Sequence, residues 1–172
     1  VVDNIVGHWS FISHDGRFVV VSGANEIGVM VLNIADGRLT NSPIHLDNHE
    51  GGWMPPGGDI FITHRLNELT AFDVKTGAMI RRFPGHSNSV RDVALSRQGQ
   101  LMASASRDRT VRLWRFADGQ LLHTIPAHDH PVHCVEFSPD NRTVISGDVR
   151  GNLVFSHVAT GRVLMSMSLS DE

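Results

Sequence analysis

Hydrophobic residues along this chain come in short alternating runs rather than helical stripes. Val132, Val135 and Phe137 lead into Ser138-Pro139-Asp140-Asn141, where proline and aspartate preset a bend. Thr143-Val144-Ile145-Ser146 and Asn152-Leu153-Val154-Phe155-Ser156 follow as β-rich runs on either side of a glycine-containing turn, the pattern of a hairpin. Ala159-Thr160-Gly161 then introduces Arg162-Val163-Leu164-Met165-Ser166 as a fourth strand. Similar turns stand at Ser13-His14-Asp15-Gly16, Asp36-Gly37, Pro55-Pro56-Gly57-Gly58, Thr76-Gly77 and Ala117-Asp118-Gly119. No helical periodicity of about ten residues or more occurs anywhere. The pattern predicts an all-β chain of about sixteen short strands.

These strands repeat in groups. His86 and His128 stand 42 residues apart, as do Ser96 and Ser138, Ser104 and Ser146, and Asp118 and Thr160. Phe72 lies 42 before Trp114, and Thr76-Gly77 lies 42 before Asp118-Gly119. The first unit fits less tightly, with Ser13 to Met54 at 41 and Leu32 to Phe72 at 40. A period of this length marks the four-stranded blades of a β-propeller. A single meander of that kind leaves both faces apolar, so each must stack on its neighbours. The expected blades are 1–47, 48–89, 90–131 and 132–172, forming one propeller domain or part of one. Gly7–Ile12 suits the first strand of a blade and Arg162–Met167 the last strand of another. That predicts whole blades with no shared closing blade, as in half of a larger seven- or eight-bladed ring whose other blades come from a longer parent chain or a second copy.

The best-formed unit runs from Gly85-His86 through Ser104-Ala105-Ser106-Arg107-Asp108 to Thr110-Val111-Arg112-Leu113-Trp114. On these residues the chain resembles the WD40-repeat family over nearly its whole length. The resemblance implies a rigid β-propeller platform for protein partners, without catalysis of its own. It further implies a buried hydrogen-bonded tetrad of His86, Ser104, Asp108 and Trp114. The chemistry agrees: a loop histidine can share a proton with a turn aspartate, and a buried indole N–H needs an acceptor. The other units depart from the pattern. The fourth keeps His128 and Ser146 but has Arg150 at the aspartate position and Ser156 at the tryptophan position. The second has Ile62, Leu66 and Phe72 at the serine, aspartate and tryptophan positions, and the first has Leu32-Asn33 where Trp-Asp would stand. Gly7-His8 lies five residues before Ser13, whereas His86 precedes Ser96 by ten, so it is out of register. The expectation is that these three units rely on apolar packing. Repeats this divergent resemble the WD40 tails of NACHT-linked sensor proteins.

Composition narrows the function. Hydrophobic residues make up 41% and charged residues 19%, the balance of an ordinary globular domain. One cysteine, Cys134, rules out an internal disulfide framework and suits a reducing compartment, so the expectation is an intracellular, cytoplasmic protein. The N-terminal stretch lacks the pattern of a signal peptide, and Asn141-Arg142-Thr143 reads as a turn rather than a glycosylation site. His86, Ser104 and Asp108 are the ingredients of a hydrolase triad, but no G-x-S-x-G elbow is present and the repeat register accounts for all three. His128, His130 and His133 form the densest group of metal-ligand types, yet residues along a strand alternate faces and do not converge as a metal requires. Gly51-Gly52 and Gly57-Gly58 precede no helix and so form turns, not a phosphate loop. The expectation is no enzyme, no cofactor and no metal.

Charge is the remaining signal. The chain carries a net −3, but between Arg81 and Arg115 eight arginines face only Asp92 and Asp108, a local +6. Arg107 and Arg109 flank a tight turn, and Arg91 sits at the start of a strand whose entry loop the WD40 pattern puts on the same face of the ring. Guanidinium groups recognise carboxylate and phosphate bidentately, which makes these three the candidate contacts for an acidic or phosphorylated protein segment. The competing expectation for Arg81, Arg82, Arg112 and Arg115 is that their stems cover apolar neighbours. Two further readings remain open: RNA binding through the same basic sector, which requires aromatic side chains for base stacking, and a purely structural, autoinhibitory role in a larger sensor.

Overall fold

The structure is a computed structural model and describes residues 7–13, 15–23, 29–42, 44, 51–55 and 57–168. Among these residues the chain forms sixteen strands and no helix. They are β1 (Gly7–Ile12), β2 (Phe18–Gly23), β3 (Val29–Asn33), β4 (Leu39–Ser42), β5 (Gly51–Trp53), β6 (Ile60–Arg65), β7 (Glu68–Asp73) and β8 (Met79–Phe83). The second half continues with β9 (Val90–Leu95), β10 (Leu101–Ser106), β11 (Val111–Arg115), β12 (Leu121–Ile125), β13 (Val132–Phe137), β14 (Thr143–Asp148), β15 (Asn152–His157) and β16 (Val163–Ser168). Each successive group of four makes one sheet, ordered as a simple meander. Neighbouring strands of the third sheet run antiparallel, with Ala103 opposite both Ala94 and Leu113. No helix among the described residues is long and apolar enough to cross a membrane.

One turn recurs for a physical reason. Ser13, Ser96 and Ser138 each close the turn between the first and second strands of their sheet by accepting the N–H of Phe18, Leu101 and Thr143 on the side-chain oxygen, at 3.0 Å in every case. The turn needs a left-handed residue, supplied by Gly16, Gly99 and Asn141. His14 and Pro56, within two of the turns read from the sequence, lie outside the described residues. Gly7-His8 falls inside β1, not in a loop preceding it.

The chain divides into two compact units, Val1–Arg65 with Leu69–Arg82, and Leu66–Glu68 with Phe83–Glu172. In the first, Val20, Val29, Val31, Ile44, Met54 and Phe61 form the core, with Phe11 stacked on Phe61 at 6.0 Å. In the second, the small residues Ala94, Ala103 and Ala105 of the third sheet meet Val132, Val135, Phe137 and Val144 of the fourth. Two polar links join these sheets. The Asp92 carboxylate accepts the Val135 N–H at 3.0 Å, and Asn141 accepts the Arg97 N–H while donating to Gln98. By contrast β16, the last strand of the fourth sheet, is exposed along its length.

Candidate functional site

The third sheet brings four polar side chains into one buried circuit. His86 lies in the loop before β9, Ser104 in β10, Asp108 in the β10–β11 turn and Trp114 in β11. Gly85 holds the loop against the sheet, because its φ of 141° favours glycine and a Cβ there would run into Arg112 Nη1. His86 Nδ1 is 2.8 Å from Asp108 Oδ2, and Nε2 is 2.7 Å from Ser104 Oγ. The Trp114 indole N–H donates to the same Ser104 oxygen at 2.9 Å. An imidazole protonated at Nδ1 satisfies every proton: indole to serine oxygen, serine hydroxyl to Nε2, Nδ1–H to carboxylate. Phe83 packs its edge on Trp114 and its face on Phe116, sealing the circuit from one side.

Burial works against a charge on Asp108, but hydrogen bonds from His86 and Thr110 and from the Ser87 backbone N–H outweigh it and hold the carboxyl far below its ordinary range. The charge is thus consumed internally. Ser104 is fully buried, with its oxygen already shared between the indole and the imidazole, so the arrangement does the work of a cross-brace.

The fourth sheet corrects one expectation. It does not rely on apolar packing alone, and Arg150 is not its acidic partner's replacement. His128 Nε2 is 2.8 Å from Ser146 Oγ, and Nδ1 is 3.2 Å from Asp148 Oδ2. Asp148 ends β14, two residues before the position that the 42-residue register assigns to an aspartate. In the third sheet that strand-end position is Ser106, whose hydroxyl instead ties down Asn88 and Ser89. Asp148 reaches the imidazole because Asn152 and the Arg150 and Asn152 backbone N–H groups wrap its other lone pairs. Burial opposes ionisation, yet these bonds and His128 lower its pKa to about 2. Asn152 occupies the place of Thr110, so an amide four residues after a strand-ending aspartate was the available signal. Ser156, at the tryptophan position, is buried and brings no indole.

Of the three candidate arginines, the structure brings two together. Arg107 and Arg109 are exposed in the β10–β11 turn and line an open groove of about 460 Å³ with Ser87, Asn88, Thr110 and Pro126. Arg109 adopts φ 69°, a left-handed conformation in a place where the fourth sheet has Gly151. Arg91 lies in β9, half-buried, and is not on this groove. Arg112 is half-buried, with its guanidinium 6.0 Å from the Trp114 ring centroid, as a stem-covering role requires. His133 is exposed, and among the described residues no three His, Cys, Asp or Glu side chains converge to hold a metal.

Four-stranded meanders at a 42-residue period, braced by His–Ser–Asp circuits, define a blade-repeat protein. The chain carries WD40 repeats: the profile described as WD domain, G-beta repeat, matches residues 77–115 and 119–155. An uncharacterized WD repeat-containing protein of Synechocystis is 26% identical over 80% of the chain and 40% of its own length. COMPASS component SWD3 of Saccharomyces cerevisiae is 25% identical over 91% of the chain and 50% of its own length. WD repeat and SOCS box-containing protein 1 of Xenopus tropicalis reaches 36% identity, over 45% of the chain and 19% of its length. The chain therefore spans half or less of each of these relatives. Proteins of this repeat class are generally non-enzymatic scaffolds that bind other proteins.

Proposed function

We propose that this chain is a docking platform without catalysis of its own, acting inside the cell, whose β10–β11 groove receives an acidic or phosphorylated segment of a protein partner. The observation that carries this is the pairing of two exposed guanidinium side chains, Arg107 and Arg109, on a turn whose only carboxylate is already bound to His86 and Thr110. An incoming anion meets positive charge with no local competitor. The turn is anchored by the buried circuit, so little ordering is lost on binding. Ser87, Asn88 and Thr110 add polar partners around the groove.

The aromatic residues of the basic sector favour a protein partner over RNA. Phe83, Trp114 and Phe116 are all buried, so none of these three rings is open beside the arginines for bases to stack on. Fluorescence anisotropy with a phosphoserine peptide tests the proposal. Arg107→Glu should weaken binding by roughly tenfold or more, as loss of a charge-assisted contact predicts, while the far-UV spectrum stays unchanged. Equal binding by Arg107→Glu, or tighter salt-dependent binding of single-stranded RNA than of the peptide, would remove the proposal.

A further inference from the structure

Across the third sheet Ala94, Ala103, Leu113 and His123 stand opposite one another in one row, and Asp92, Ala105, Val111 and Ile125 in the next. The apolar members of both rows lie in the core shared with the fourth sheet. At positions 42 residues later, the fourth sheet carries Glu136, Ile145, Phe155 and Met165 in one row. Its next row is Cys134, Gly147, Leu153 and Met167. These rows repeat the covered face of the third sheet, yet Met165 is 49% exposed and Met167 42%. Glu136 and Cys134 are exposed as well, and Ile145, Leu153 and Phe155 are only half-buried.

The other half of that contact is also repeated. On the fourth sheet Phe137, Val144, Ser156 and Val163 form one row, and Phe137 and Val144 enter the core shared with the third sheet. Counted from the turn serines Ser138 and Ser13, the same row on the first sheet is Ile12, Val19, Leu32 and Leu39. Alternation along the strands puts it on the face opposite Phe11, Val20 and Val31, which belong to the first unit's core. Ile12 is 64% exposed and Leu39 41%. The chain thus displays both halves of an interface that its third and fourth sheets complete between them.

Size and charge match the two open halves to each other. On the fourth sheet Ile145 stands where the third has Ala103, and Glu136 where it has Ala94. On the first sheet Ile12 stands where the fourth has Phe137, and Ser10 where it has Val135. Volume added on one face is removed from the other, as close packing requires. At the corner of the existing contact, Asn141 of the β13–β14 turn donates to Gln98 of the β9–β10 turn. Asp140 takes the place of Gln98 on the fourth sheet, and Gly16 that of Asn141 on the first, with Arg17 beside it. Asp140 and Arg17 are both exposed, so opposite charges fall at that corner. Two fourth sheets set face to face would instead bring both Glu136 carboxylates into one interface.

From these repeated rows we infer that the open face of the fourth sheet is a self-association surface: its Ile145, Phe155 and Met165 take the first sheet of a second copy of this chain. The contact is heterologous, one face meeting a different face of the other copy. It covers Cys134 and the exposed methionines of β16, and it does not depend on peptide binding at Arg107 and Arg109.

Sedimentation velocity on the whole chain tests this, and should show association that grows with concentration. Ile12→Lys and Met165→Glu change exposed positions, so each variant should keep the parent's far-UV spectrum. Each alone should raise the dissociation constant by roughly tenfold or more. Mixed in equal amounts, the two variants should again associate, because the intact fourth sheet of one then meets the intact first sheet of the other. Maleimide labelling of Cys134 in the parent chain, which needs no variant, should slow as the chain associates. The inference is overturned if the chain stays monomeric at every concentration, which would leave both faces to other blades. It is overturned equally if Ile12→Lys associates as the parent does, if the mixture fails to recover, or if the Cys134 labelling rate ignores concentration.

Discussion

The third and fourth sheets solve one problem with different residues. Each must fix a buried histidine between a strand serine and a carboxylate, and each does so at nearly the same distances, His86 with Ser104 and His128 with Ser146. The carboxylate comes from the turn in one and from the strand end in the other. One circuit continues into an indole, whereas the other stops at a serine. What is held constant is the path of protons through the blade entrance, not the identity of the residue at each register position. The fourth sheet replaces the tryptophan's contribution with a second polar grip, the Asn152 amide on both carboxylate oxygens.

Substitution separates the two designs most sharply at the end of the circuit. Trp114→Ala should cost about 3–5 kcal/mol, since it opens a large cavity and strips Ser104 of a donor. Ser156→Ala at the matching position should cost within about 1 kcal/mol. Urea denaturation of both variants measures the gap, and comparable losses would mean that the indole is not what anchors the third sheet.

Acid probes the carboxylates. A folded pKa lowered to about 2 for Asp148 means that its contribution to stability is complete above the unfolded value. That unfolded value lies near pH 4, so the contribution is lost as pH falls from there toward 2. Asp108 behaves in the same sense, with its protonation still more strongly resisted. Asp148→Asn should therefore flatten the fall in urea midpoint between pH 4 and pH 2 without flattening the part due to Asp108. An acid limb identical to that of the parent chain would show that Asp148 is not held as described.

The smallest effect concerns the turns. Arg109 holds a left-handed backbone where Gly151 does so in the fourth sheet. Arg109→Gly should raise stability by about 0.5–1 kcal/mol, net of the added freedom of the unfolded chain, and weaken anionic peptides at the same time. Thermal melts alongside anisotropy read both. A variant both more stable and fully able to bind would strip Arg109 of its role.

Much of this was legible before any fold was seen. The 42-residue register survives because turns at Ser96 and Ser138 and the left-handed residues after them are backbone requirements, which leave a fixed mark on sequence. The His86 circuit was legible because each member stands where the WD40 pattern puts it. Asp148 was not, because register counts positions along the chain while a hydrogen bond counts distance in space. A strand-end side chain and a turn side chain two residues later can reach the same imidazole. Arg91 is the converse: near Arg107 in the repeat pattern, it sits in β9 with its side chain half-buried and away from the groove.

The bond from Val135 N–H to Asp92 ties the third and fourth sheets together through a single side chain. Val135 stands in β13, at the edge of its meander, where an amide would otherwise exchange with solvent by local fraying. Caught by a carboxylate of the neighbouring blade, it can exchange only when the two blades part. Its protection therefore reports a cooperative opening of both sheets, and the pair forms one unit of unfolding in time as well as in space.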